Sequence, residues 1–282
     1  MLGGDEERRR DLPWRRTRDA WSILVSELML QQTQVARVVP RYQAFLLDFP
    51  TAAACADAPV GAVVRAWAGL GYNRRAVHLH AAARAVVDRF GGELPTTLAE
   101  LRSLPGVGPY TARAVLAFAY EADVGVVDTN AARVLARAVA GEKLAPARAQ
   151  ALADQMVPAG RGWAWNQAML DLGATVCSRH RPRCGDCPLP GVGACAWALA
   201  AQDGPDPAEG SAGVGGVQST FAGSDRQGRG RLVDALRAGP VTTAALPAAC
   251  GWPDDRDRAQ RVVAGLVADG LAVAEGDWVR LP

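Results

Sequence analysis

Four of the six cysteines fall in one short stretch, Cys177, Cys184, Cys187 and Cys195, spaced Cys-x6-Cys-x2-Cys-x7-Cys. Four thiolates in such a set can hold a tetrahedral zinc ion or a [4Fe–4S] cube. Zinc sites more often arrange their ligands as two CxxC knuckles, and only one is present here. The spacing therefore leans toward iron–sulfur and leaves zinc open. Cys55 and Cys250 lie far from this set and read as buried thiols. Between the first two ligands runs Ser178-Arg179-His180-Arg181-Pro182-Arg183. Its three guanidiniums suit phosphate oxygens, although an ordinary solvated loop has the same composition.

A second string with chemical content is Leu104-Pro105-Gly106-Val107-Gly108-Pro109-Tyr110-Thr111-Ala112. Gly106 and Gly108 permit a tight turn that leaves backbone N–H groups exposed at the start of the following helix, where the positive helix end favours a phosphate. Further along, Val126-Val127-Asp128-Thr129-Asn130 leads into another helix. Asp128 suits an N-cap there, and a carboxylate facing a nucleic acid is the alternative use.

These residues must be positioned by helices. Ala, Leu and Arg dominate long stretches between Asp19 and Ala200, and such side chains lose little rotamer freedom in a helix. Predicted helices are Ala20–Ala36, Val39–Asp48, Val60–Ala68, Arg74–Phe90, Thr96–Leu104, Tyr110–Tyr120, Ala131–Ala140, Pro146–Val157 and Trp163–Gly173, with breaks at Pro and Gly. The Gly-, Ser-, Pro- and Asp-rich segment 201–230 reads as a flexible linker. Beyond it, helices are expected at Arg231–Ala238, Thr242–Ala249 and Arg256–Asp269. A hairpin of Leu271–Val273 with Trp278–Leu281 around Glu275-Gly276-Asp277 would complete a small winged-helix-like module over 231–282.

The 282 residues carry a net charge of +2, split as +5 over residues 1–200 and −3 over 201–282. A positive front part attracts phosphates only modestly at that value. Met1–Arg10 mixes charges of both signs without an apolar segment, so it does not read as a signal peptide. No run approaches the roughly 20 apolar residues that span a bilayer. The expectation is a cytoplasmic, nucleoid-associated protein with no membrane contact, in a compartment where clustered thiols mean metal rather than disulfides.

Taken with Ser26-Glu27-Leu28-Met29-Leu30-Gln31-Gln32-Thr33-Gln34-Val35, Leu12-Pro13-Trp14-Arg15, Gly69-Leu70-Gly71-Tyr72 and Trp165-Asn166-Gln167-Ala168-Met169-Leu170-Asp171-Leu172-Gly173, these strings resemble the MutY-type adenine DNA glycosylases of the helix-hairpin-helix superfamily. The resemblance covers about Leu12–Ala200. It implies a mainly α, two-lobed helix-hairpin-helix DNA glycosylase fold over residues 1–200. One lobe would be a six-helix barrel, and the other would carry a [4Fe–4S] cluster in the 177–195 loop. It also implies a monomer that acts on double-stranded DNA with A:8-oxoguanine or A:G mispairs in base-excision repair.

Glu27 lies in an otherwise apolar helix, with Gln31 and Gln34 expected on the same stripe at i+4 and i+7. A solvent-facing polar stripe would look the same. The resemblance instead makes Glu27 a general acid in a pocket for an extruded adenine, where burial raises a carboxyl pKa. It further implies that Asp128 stabilises the oxocarbenium-like sugar, that Asn130 positions groups near the water, and that Tyr110 orients Glu27. Related endonuclease III-type enzymes carry a Schiff-base lysine where Tyr110 stands, so a phenol there implies a monofunctional enzyme. By the same resemblance Gln32 and Tyr72 wedge the duplex and Thr33 and Leu70 lie near the opposite base. Trp14, Arg15 and Gln167 line the base pocket, while Gly106, Gly108, Arg179, Arg181 and Arg183 contact the DNA backbone.

Several positions depart from the family pattern. The last cysteine gap is seven residues instead of five, Thr129 replaces a usual Gly, and Asn73 follows Tyr72 where an aromatic residue or Pro is common. The segment after Ala200 is too short for the usual Nudix-like domain that reads 8-oxoguanine. Two rival readings are an endonuclease III-like glycosylase for oxidised pyrimidines and a non-catalytic iron–sulfur DNA-binding regulator.

Overall fold

The computed structural model describes residues 10–200, 204–212 and 220–282, and parts of the expected linker lie outside them. Two compact units emerge, one of Trp21–Val107 with Gln218–Pro282, the other of Met1–Ala20 with Gly108–Val217. Helices dominate both, as the composition requires. Among the described residues, no helix is long and apolar enough to cross a membrane.

The first unit holds α1 (Ala20–Leu30, from Trp21 on), α2 (Val35–Asp48), α3 (Ala52–Asp57), α4 (Val60–Ala66), α5 (Arg74–Phe90) and α6 (Leu98–Arg102). α5 matches its expected bounds because its signals are local: an apolar stripe, then Gly91 at φ 67°, a left-handed cap that glycine adopts without strain. The single helix expected over Ala20–Ala36 is instead two helices, broken at residues 31–34, with Gln32 at φ 56°. Gln31 and Gln34 therefore do not continue the face of Glu27. Packing around Phe45, Trp67 and Leu79, all fully buried, forms the core of this unit.

The other unit holds α7 (Pro109–Ala119), α8 (Thr129–Val134), α9 (Pro146–Met156), α10 (Gly162–Thr175), α11 (Pro188–Gly191) and α12 (Ala196–Leu199). The expected helix Ala131–Ala140 changes character midway, since Leu135–Ala140 winds as a π-helical turn before Gly141 ends it at φ 67°. π-turns widen the spiral locally and are frequent at functional sites. α8 and α10 approach closely at Gly173, where an added Cβ would lie 2.6 Å from the Asn130 carbonyl oxygen.

The segment expected to be a linker carries structure at both ends. Residues 204–212 pack on the second unit: the Leu144 N–H donates to Ser211 Oγ, the Ala212 N–H to the Leu144 carbonyl, and Ala208 is buried. Toward the C-terminus α13 (Asp225–Ala238) starts six residues earlier than expected, on a Ser224 cap. α14 (Leu246–Cys250) and α15 (Arg256–Ala268) follow. β2 (Val273–Glu275) and β3 (Trp278–Arg280) pair antiparallel about Gly276, and an unforeseen short strand, β1 (Val241–Thr242), adds to the other edge of β3.

Candidate active site and cysteine cavity

Glu27 is the only charged residue of α1, and it is 5% exposed on a helix whose Ile23, Leu24, Val25, Leu28 and Met29 are all buried. Carboxyl groups are almost never placed in such surroundings without a task or a partner. α1 stops soon after it, and the cause is Arg75 in the first turn of α5. Its guanidinium donates to the carbonyls of Leu28 at 2.7 Å, Met29 at 2.9 Å and Gln31 at 2.5 Å. Those are acceptors that a helix end leaves unpaired, and a cation there also complements the negative end of the helix dipole.

The other arm of Arg75 reaches Thr33 Oγ1 at 2.9 Å, the Gly71 carbonyl at 3.0 Å and the Leu70 carbonyl at 3.3 Å. One side chain thus fixes the end of the Glu27 helix, Thr33 and the Gly69–Tyr72 loop together. Burial pushes its pKa down to about 10, and it stays charged at neutral pH. The guanidinium also lies over the rings of Trp67 and Tyr72. Sequence reasoning missed Arg75, because nothing local separates it from its exposed neighbour Arg74.

In the Gly69–Tyr72 loop, Gly69, Gly71 and Tyr72 all have positive φ, at 83°, 70° and 46°. Tyr72 is 47% exposed, while Leu70 is 2% exposed. The Leu70 side chain belongs to the core of its unit, and its carbonyl joins the cluster of Thr33 and Arg75. Gln32 is exposed. In the hairpin before α7, Gly106 (φ 76°) packs on α5, where a Cβ would come 2.7 Å from His78 Cβ. Gly108 and Pro109 open α7, with Tyr110 half-buried in its first turn.

Asp128 is the N-cap of α8. Its Oδ1 accepts from the N–H groups of Asn130 at 2.8 Å and Ala131 at 2.7 Å, and its Oδ2 accepts from Asn130 Nδ2 at 2.6 Å. Burial raises its carboxyl pKa above the ordinary value, opposed by those three bonds and by the charge of Arg133. Asn130 Oδ1 accepts in turn from Arg133 Nη2 at 2.8 Å, and Arg133 also donates to the carbonyls of Thr129, Gly173 and Cys177. Thr129, where a Gly is usual, is exposed as the first residue of α8 and leaves the cap intact.

Trp14 and Arg15 sit in a 3-10 turn (Pro13–Arg15) and are both buried. Arg15 forms a two-pronged pair with Asp171 of α10, at 2.6 and 2.8 Å, and Arg10 Nε adds a third bond at 2.5 Å. Burial alone would raise the Asp171 carboxyl, but the two arginines hold it below its ordinary value. Asp171 orients Arg15, a role its place in the Trp165–Gly173 string did not announce. Gln167 lies one helical turn before it, 5% exposed, and its Oε1 has no hydrogen-bond partner among the described residues. A buried amide oxygen left unpaired carries a penalty of about 1–3 kcal/mol, which a ligand N–H would remove.

Cys177, Cys184, Cys187 and Cys195, all free thiols, line one cavity together with Val134, Leu172, Val176, Leu189 and Trp197. Among the described residues no group of three or more His, Cys, Asp or Glu is gathered as a single metal ion would need. Two observations fit a larger sulfur-ligated group. The Trp197 Nε1–H on the cavity wall is buried without a hydrogen-bond partner among the described residues, a donor fitted to a sulfur acceptor. Arg137, 1% exposed on the π-helical turn, donates to Cys177 Sγ at 3.4 Å while Asp206 holds its other edge at 2.8 Å. The long last gap is absorbed locally: α11 is followed by Gly193 at φ 65°, Val192 loops outward at 76% exposure, and Cys195 still lines the cavity. Arg179, Arg181 and Arg183 are all exposed on the preceding loop.

The family profile described as "HhH-GPD superfamily base excision DNA repair protein" matches residues 25–158. The adenine DNA glycosylase of Mycolicibacterium smegmatis is 44% identical over 283 residues, which span 98% of this chain and 92% of that protein. That of Mycobacterium tuberculosis is 43% identical over 289 residues, spanning 98% and 90%. Among solved structures, a thermostable thymine-DNA glycosylase superposes with a TM-score of 0.65 at 29% identity, over 71% of this chain and 92% of that one.

Proposed function

The chain belongs to the HhH-GPD superfamily of base excision DNA repair proteins, among its adenine DNA glycosylases, and from that premise we propose that it hydrolyses the N-glycosidic bond of adenine mispaired with 8-oxoguanine or guanine. The observation that carries the reading is the buried carboxyl of Glu27 in an apolar helix, fixed at its C-terminal end by Arg75. The adenine leaves the stack and enters a pocket walled by Trp14, Arg15 and Gln167, whose unpaired Oε1 accepts from the exocyclic amine. Glu27 donates a proton to N7, the C1′–N9 bond breaks, and its electron pair leaves with the base. Asp128 stabilises the cationic sugar, Asn130 holds that carboxylate, and water adds to C1′ with loss of a proton. Tyr110 orients Glu27 and offers no amine for strand cleavage, so the product is an abasic site. Gln32 and Tyr72 fill the gap, and Thr33 lies beside the opposite base. Gly106, Gly108, Arg179, Arg181 and Arg183 contact backbone phosphates. The protein acts as a monomer.

The test is base release from duplexes that pair A with 8-oxoguanine, G or T, alongside a duplex containing thymine glycol. Adenine release ordered 8-oxoguanine, then G, then T supports the reading. Release of the damaged pyrimidine alone would overturn it.

The four cysteines would hold a [4Fe–4S] cluster, which when bound ties the 177–195 loop into one rigid element. The Trp197 N–H, unpaired among the described residues, and the Arg137 contact to Cys177 support a sulfur-ligated group in this cavity. Purified protein should be brown and contain about four iron and four sulfide per chain. A colourless preparation with stoichiometric zinc would refute the cluster while leaving the glycosylase reading in place.

A further inference from the structure

The C-terminal module packs on α4 and the first turn of α5, within the unit that carries the Tyr72 loop. The Gly61 N–H donates to the Pro282 carbonyl at 3.1 Å, and a Cβ on Gly61 would lie 2.4 Å from that oxygen. Asp269, held by Arg229, also pairs with Arg74, and Gly270 abuts Val77. At the centre is Arg237 of α13, its side chain only 11% exposed. Its Nε donates to the Val64 carbonyl at 3.1 Å, and its Nη2 to Asn73 Oδ1 at 2.8 Å. Val64 precedes the loop that displays Tyr72, and Asn73 follows it. One guanidinium therefore joins both stems of that loop, while Arg75 and Arg37 hold its inner carbonyls.

Charge argues against a direct DNA reader in the module. Residues 220–282 carry eight Arg and eight Asp or Glu, so they offer no net attraction to phosphates. Asn73 also acquires a reason: it supplies Arg237 with a side-chain oxygen acceptor, which Phe, Trp or Pro would lack.

We propose that the C-terminal module is a brace for the Gly69–Tyr72 loop, with Arg237 and Asn73 as positioning residues that set how well the loop engages the duplex opposite the adenine. The inference rests on the reading that Tyr72 enters the duplex. A loop with three residues at positive φ is held by its stems, and loosening them lets Tyr72 leave its docking geometry while Arg75 still holds the end of the Glu27 helix.

The experiment is single-turnover adenine release from A:8-oxoguanine duplex, titrated with enzyme, for wild type, Arg237→Met, Asn73→Ala, Asn73→Asp and the double variant Arg237→Met/Asn73→Ala. Each of the first two variants should raise the half-saturating enzyme concentration about tenfold, the scale of one charge-assisted hydrogen bond. The rate at saturation should stay within about twofold of wild type. The double variant should be no worse than the more impaired single one, because both cut the same link. Asn73→Asp keeps the acceptor oxygen and should behave as wild type. Additive losses, a lower saturating rate with unchanged half-saturation, or impairment that merely follows a lowered Tm would overturn the brace. So would weakening by Arg256→Ala/Arg261→Ala, two exposed arginines of α15, with no effect of Asn73→Ala, which would make the module a direct phosphate contact. Wild-type protein that releases no adenine from any duplex would instead remove the premise, and the brace with it.

Discussion

Replacing Glu27 with glutamine is expected to cut adenine release by about 10²–10⁴-fold, the range that a positioned general acid contributes. Glutamine has the same shape and buries no charge, so α1 and its contacts should persist and duplex binding should stay near wild type. What it lacks is a proton that can be given away to N7. The experiment is a single-turnover measurement on A:8-oxoguanine duplex beside a binding titration, so that lost chemistry is separated from lost affinity. A variant that binds normally and turns over at the wild-type rate would sink the assignment of Glu27.

Asp128→Asn should be the second large effect, about 10²–10³-fold in rate, the scale of removing one preorganised electrostatic contact to developing charge. Its value as a test comes from the cap. Asparagine caps a helix about as well as aspartate, so the replacement amide oxygen can still accept from the N–H groups of Asn130 and Ala131, and the stability loss is confined to the bond from Asn130 Nδ2. Asp128→Ala would add a stability loss of about 1 kcal/mol to the same kinetic defect. The pH profile follows from the burial of the carboxyl, which raises its pKa. As acid is added, the anion is lost at a higher pH than an ordinary aspartate would lose it, so the acid limb of kcat should be displaced upward. Asn130→Ala removes one of the bonds that hold the pKa down, and should move that limb higher still. An acid limb indifferent to Asn130→Ala would mean that another group titrates there.

Much of the fold and site is legible in residue types alone where the signals are local. α5, the Gly106–Pro109 hairpin and the Asp128 cap rest on neighbours within a few positions, and the four cysteines that share one cavity fall within the single stretch 177–195. The misses have non-local causes. The helix expected over Ala20–Ala36 overruns the true end of α1 because Arg75, more than forty positions away, ends it with no Pro or Gly nearby. Arg133 and Arg137 look like the outer face of an amphipathic helix, yet they are 7% and 1% exposed because carbonyls, Cys177 and Asp206 from elsewhere receive them. The start of α13 is hidden by Gly228, which reads as linker. It is glycine because the Trp252 ring lies 2.0 Å from where a Cβ would sit.

The acceptors gathered by Arg75 also govern how this scaffold can be re-engineered. Residues 28–33 and residues 70–71 share one five-donor group, so neither loop can change length or backbone path alone. A segment transplanted from a relative should function only when its counterpart travels with it. Lysine, with a compact charge and three donors, is no substitute for arginine at that junction.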